Sequence, residues 1–271
     1  MITSNWFYDA MLYVYALSLL FYFSDFVDAN RSAKRIGAGL LVFVWALQSG
    51  YLVYRLMSHL DVAVYISGFE YWFAFSWLLV TTSLVISRFF RIEYMVFIVN
   101  LIGFAVLTVL LLVNPEPELP IQPYDAAKDL LVMHVSLMTC SFAALTISAV
   151  FAGMYMFLHR KLKKKSWTKP VRRLPSLELI DLYSFRLTSA GAPLLAMSLS
   201  VAIASIVVEE RWSYFYDWKV VGSLIALILY GVYLLRRKLK GQVGFDAARL
   251  NLLSFGVLIL NVLLNPISNF H

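Results

Sequence analysis

The sequence predicts an all-α integral membrane protein, an eight-transmembrane-helix bundle with both termini outside, on three observations. Of its 271 residues 61% are hydrophobic and only 14% are charged, with a mean hydropathy of +0.75, well above the roughly half-apolar composition of soluble domains. Eight apolar runs approach the length of about 20 residues that a helix needs to cross the hydrocarbon core. The lysines and arginines fall in alternate loops, which sets an orientation under the positive-inside rule.

Taken in order, the runs are Trp6 to Phe26, Ile36 to Met57, Phe69 to Ser87, Tyr94 to Val113, Leu130 to Leu158, Leu187 to Val208, Trp218 to Leu235 and Leu250 to Leu264. Each is read as a helix because, in lipid, every backbone polar group must be satisfied inside its own segment. The opening MITSNWFYDAMLYVY has no basic leader, and the run behind it is long enough to span, so the first run is a permanent helix rather than a cleaved signal. The fifth run is the longest and is expected to tilt or to project beyond the bilayer. Residues 1–271 thus form a single membrane domain.

The loops on one side are NRSAKR, SRFFR, HRKLKKKSWTKPVRR with Arg186, and RRKLKGQVGFDAAR, and they hold 19 of the 23 lysines and arginines. The other side has Arg55, Lys128, Arg211 and Lys219. The first set is therefore cytoplasmic. Because these cations flank apolar spans, the net charge of +7 reflects topology and not a nucleic-acid partner. The basic cytoplasmic loop 159–186 is a stop signal for the fifth span, and its RKLKKK run would attract anionic lipid or an acidic cytoplasmic or membrane protein partner. The outer loop NPEPELPIQPYDAAKD is irregular, since proline removes backbone donors. A lone Cys140 excludes a disulfide framework or a Cys-x-x-Cys redox pair. No internal repeat is present, and Asp9, Asp25, Glu70 and Asp181 fall near span ends or in loops, which weighs against a transporter with midplane charges.

Topology sorts the four histidines. His159 is at the inner end of the fifth span, while His59, His134 and His271 lie outside. The outer loop 209–218 is there too, with Trp212, Tyr214, Phe215, Tyr216 and Trp218 packed around Asp217. Such a set suits a flat, apolar, dianionic cofactor with an iron centre. Neutral imidazole ligates haem iron, aromatic rings offer flat walls, and Arg55, Lys128, Arg211 and Lys219 are candidates to pair with propionates. Plainer readings stand beside this one. The aromatics also fit an interfacial anchor, Asp217 an N-cap for the seventh helix, and His134 a hydrogen bond across helices rich in serine and threonine. A terminal His271 would ordinarily fray.

The stretch LLVMHVSLMTCSFAALTISAVFAGMYMFLHRKL resembles the histidine-bearing helix of the cytochrome c assembly family, the WWD-domain haem-handling membrane proteins. GFEYWFAFSWLLVTTSLVIS is similar to that family's third span, and WSYFYDWKVVGSLIALILYGVYL to a degenerate form of its signature loop and following helix. The short length, the opening YALSLLFYFSDFVDANRSAKRIG and the ending ISNFH are most similar to the family's HemX-type branch in Gram-positive bacteria. That branch is associated with the haem biosynthesis operon and with negative control of glutamyl-tRNA reductase abundance. The resemblance implies that His134 and His271 are paired axial ligands, with His59 as an alternative. It also implies that the loop around Tyr214, Tyr216 and Asp217 is the haem platform, flanked by Trp212 and Trp218. Where the family carries tryptophans, this chain has Tyr214 and Tyr216, and Val220 stands where an acidic residue follows the lysine.

These readings converge on a multi-pass bacterial cell-membrane protein, not an enzyme, that binds haem b at its outer face and acts in haem handling or sensing, its occupancy read at the basic inner loop. A cytochrome c assembly component that presents haem to an apocytochrome is the alternative reading. A scaffold or transporter without haem is the third.

Overall fold

The computed structural model describes residues 6–28, 30–58, 68–89, 93–113, 126–165, 174–208, 210 and 212–263. They form eight helices: α1 (Trp6–Asp28), α2 (Arg31–Ser58), α3 (Gly68–Phe89), α4 (Glu93–Val113), α5 (Ala126–Lys163), α6 (Leu177–Val208), α7 (Trp218–Lys240) and α8 (Phe245–Leu263). A 3-10 turn, Trp212–Tyr216, precedes α7. All eight helices are long and apolar enough to cross a membrane, and no strand occurs among the described residues.

Each helix contains its expected apolar run almost entirely, and the differences lie at polar ends. Helix α6 starts at Leu177, ten residues before the first position of its apolar run. The extra turns carry Glu178, Asp181 and Arg186, and Asp181 is matched by Arg237 of α7 at 2.6 Å, so the helix outlasts the apolar pattern. Helix α5 likewise continues through Lys163, and the basic loop is correspondingly shorter than 159–186. Local chemistry sets two ends. Asn30 Oδ1 accepts from the backbone of Ser32 and Ala33 and caps α2. Gly241, at φ 59°, closes α7 in the left-handed conformation that glycine adopts without a Cβ penalty.

The chain divides into two compact units, Met1–Tyr124 and Asp125–His271. In the first, α1 packs on α2 and α4, and α3 packs on α2 and α4. Packing in lipid draws little on the hydrophobic effect, and interhelical hydrogen bonds and close contact do more of the work. Polar side chains accordingly stitch this unit. Tyr15 donates to Asn100 Oδ1 at 3.1 Å, and Asn100 Nδ2 donates to Ser83 Oγ at 2.7 Å. Gln48 Nε2 donates to Ser76 Oγ at 3.2 Å, whose hydroxyl reaches Gly103 O at 3.1 Å.

In the second unit α5 packs on α6 and α8, and α7 on α6 and α8. The α5–α6 seam repeats small or polar residues at heptad spacing. Ser141, Leu145, Ser148, Ala152 and Tyr155 face Ser184, Thr188, Gly191, Leu195, Ser198 and Ala202, all buried. Ser141 donates to Gly191 O at 2.8 Å, and Ser148 meets Ser184 and Thr188, so the helices run antiparallel. Asn251 of α8 closes the seam, its Nδ2 lying 2.8 Å from Ser148 Oγ, 2.9 Å from Ser184 Oγ and 3.1 Å from Thr188 Oγ1.

Candidate functional site

Within the second unit the antiparallel order puts the start of α5, the end of α6, the 3-10 turn and the start of α7 at one end. Arg160, Lys161 and Lys163 of α5 and Arg237, Lys238 and Lys240 of α7 collect at the other. His134 is therefore separated from the cationic end by most of a 38-residue helix, about 57 Å long at 1.5 Å per residue.

His134 is 8% exposed and crosses the seam to α6. Its Nδ1 lies 2.8 Å from the Ser198 carbonyl and 3.0 Å from Ser198 Oγ, while Ser198 Oγ donates to the His134 carbonyl at 3.0 Å. The carbonyl can only accept, so Nδ1 carries the proton and Nε2 carries the lone pair in the neutral ring. This is the arrangement that metal-binding histidines adopt, one ring nitrogen donating to a backbone oxygen so that the other is oriented and made more basic. The reading of His134 as a hydrogen bond across helices is therefore met.

The aromatic segment lies at the same end of this unit, packed against α6 and α7. Trp212 and Phe215 stack with centroids 6.1 Å apart and planes 15° from parallel. Trp212, Tyr216 and Trp218 are exposed, Tyr216 at 88%, while Tyr214 and Asp217 are half-buried. The Asp217 backbone N–H donates to Tyr214 O at 3.1 Å, which tightens the turn. Asp217 is the N-cap of α7, at φ −66° and ψ 136°, and accepts from the Lys219 backbone at 2.9 Å. Lys219 is half-buried. Asn261 of α8 donates to the Lys219 carbonyl at 3.1 Å and to Ser223 Oγ at 2.9 Å, which ties the end of α8 to this same end of the unit.

The remaining sequence candidates are placed differently. Arg55 belongs to the first unit, where its Nε and Nη2 both donate to Glu70 Oε1, the Nε contact at 2.9 Å, with each side chain 11% exposed. A nearly buried carboxylate already engages the guanidinium offered for a propionate. Lys128 is in the first turn of α5, with its side chain outside the described residues, and His59, Arg211 and His271 lie outside them altogether. Sequence reasoning missed Ser198 and Asn251. Ser198 sits on the heptad stripe that includes Ser184, Thr188 and Gly191, and that stripe was the available signal. No group of three or more His, Cys, Asp or Glu side chains suited to a bare metal ion occurs among the described residues. A ring bonded to the Ser198 carbonyl and hydroxyl, with flat aromatics at the same end of the unit, fits one side of a haem better than an ion cage.

The profile of the family described as Cytochrome C assembly protein matches residues 65–269. Protein HemX of Brevibacillus brevis is 37% identical over 271 residues, covering 98% of this chain and 97% of that protein. Protein HemX of Bacillus subtilis (strain 168) is 35% identical over 264 residues, covering 97% and 95%. Cytochrome c biogenesis protein CcsA of Guillardia theta is 28% identical over 144 residues, 47% of each chain. No solved structure gives a significant match.

Proposed function

The chain belongs to the cytochrome C assembly protein family and is a multi-pass bacterial membrane protein, and we propose that it binds haem b at its outer face in haem handling or sensing linked to haem biosynthesis. The observation that supports this reading is the Nδ1 bond from His134 to the Ser198 carbonyl, 2.8 Å long, the kind of bond that metal-binding histidines make through the nitrogen not used for ligation. When bound, haem would supply an iron that takes nitrogen ligands and two propionates that need cations or donors. His134 and His271 would hold the iron, with His59 as the substitute. Trp212, Tyr214, Tyr216 and Trp218 would wall the ring and keep water off it, and Lys219, Lys128 and Arg211 would neutralise propionates. Asp217 and Asn261 fix the Lys219 backbone on either side.

Sensing draws support from α5 itself. One unbroken helix carries His134 near one end and the cationic cluster at the other, so a shift of the histidine is also a shift of the basic loop. For a signal, the two arrangements must differ in affinity for the ligand. Negative control of glutamyl-tRNA reductase abundance is the output we propose. Near-complete coverage of the HemX relatives, against 47% for the CcsA protein above, favours this over presentation of haem to an apocytochrome.

Protein purified in detergent from haem-replete cells should give a low-spin bis-histidine spectrum on dithionite reduction, and His134→Ala or His271→Ala should abolish it. A Soret band absent even after added hemin would remove the haem reading. In cells, deletion of the chain should raise glutamyl-tRNA reductase several-fold on an immunoblot, and His134→Ala should reproduce the rise. Unchanged reductase in a strain whose protein does bind haem would leave haem handling without regulation.

A further inference from the structure

At the cationic end of the second unit, a groove of about 410 Å³ runs between α5 and α8. One side is formed by Gly153, Met156, Phe157, Arg160 and Lys161 of α5 with Lys164 just past its end, and Leu252 closes it from α8. The spacing of the α5 residues, steps of three and four, sets them on one face of that helix. This face is distinct from the Ser141–Ser148–Tyr155 face that packs on α6. It is apolar in its first half and cationic in its second, and no acidic side chain lines the groove.

Two features shape it. Gly153 leaves the groove open, because a Cβ built there meets nothing within 4 Å. Lys161 folds back so that its Nζ lies 5.7 Å from the Phe157 ring centroid, covering apolar surface while its charge stays at the rim. Along the stripe from Gly153 to Lys164 the helix rises about 16 Å. A membrane helix presents that sequence, from hydrocarbon to three cations, at the depth where acyl chains give way to phosphates.

We propose that this groove seats one anionic phospholipid of the surrounding bilayer, an acyl chain lying over Gly153, Met156, Phe157 and Leu252 and its phosphate held by Arg160, Lys161 and Lys164. The occupant is chosen by charge and by form together. An acidic protein segment would satisfy the cations and leave the apolar half in lipid, and a neutral lipid would fill the apolar half and leave three cations unmatched. The site does not depend on haem at the other end of the unit.

The full-length protein in detergent, titrated with phosphatidylglycerol or phosphatidylcholine and read by native mass spectrometry, tests this directly. Wild type should retain phosphatidylglycerol in preference to phosphatidylcholine. Removing the three charges together (Arg160→Gln, Lys161→Gln and Lys164→Gln) should weaken phosphatidylglycerol binding about a hundredfold. Gly153→Leu keeps every charge and fills the groove, and should weaken it about fivefold. If that variant does not fold by circular dichroism, Leu252→Trp fills the same space from α8. The pair Lys238→Gln and Lys240→Gln, on α7, should change nothing. Wild-type binding by a folded groove-filling variant, or an equal loss from the α7 pair, would mean diffuse attraction to a basic surface and would overturn the seat.

Discussion

His134 and Arg55 are both buried polar side chains at helix ends, yet their partners give them opposite meanings. The Ser198 carbonyl accepts a hydrogen bond from His134 Nδ1, which puts the lone pair of the neutral ring on Nε2. A carboxylate takes Arg55, so the guanidinium is spoken for by Glu70. For such a pair, removing one member strands a charge, whereas removing both need not. Arg55→Leu alone should therefore lower stability by on the order of 3 kcal/mol, and Arg55→Leu with Glu70→Leu by clearly less. Thermal unfolding in detergent measures both. Equal losses in the single and double variants would show that the two residues do not act as a pair. Asp217 was legible from sequence because a cap acts two residues away, on the Lys219 backbone. The Ser198 bond to His134 spans 64 residues and depends on the α5–α6 register, which no local pattern states.

Helix α7 holds two glycines in contrasting surroundings. A Cβ at Gly222 would run into the Asn261 amide, whereas one at Gly231 meets nothing within 4 Å. The same substitution should then change sign along one helix. Gly222→Ala is expected to cost about 1 to 3 kcal/mol by forcing α7 from α8 and breaking the Asn261 bonds to Lys219 and Ser223. Gly231→Ala should be neutral, or stabilising by up to about 1 kcal/mol through helix propensity. Melting temperatures of the two variants decide it, and a matching drop in both would show that packing does not control this helix. The early start of α6 has a related cause. Counting apolar residues stops at Arg186, but a helix continues where its charged side chains find partners, and Asp181 pairs with Arg237. Arg237 also lies 4.8 Å from the centroid of the Phe185 ring.

At the scale of the whole molecule, the orientation predicted from the loops is open to direct test. In a Cys140→Ser background, Ser213→Cys in the 3-10 turn should react with an impermeant maleimide in intact cells, and Lys164→Cys only after lysis. The reverse pattern would invert the protein and put the His134 end in the cytoplasm. Membrane class, the number of spans and their approximate places were all legible in the chain, because lipid punishes any unsatisfied backbone or unpaired charge and so writes each span as a continuous apolar run. The Asp217 cap and the histidine helix were legible for the same reason, being local. What tertiary structure alone decided is which polar atom meets which: His134 with Ser198, Arg55 with Glu70, Asn251 with three hydroxyls, and the groove opened by Gly153. Those pairings depend on helix register and rotation. In lipid, both are set by close contact between small residues on different helices, not by where each apolar run begins and ends.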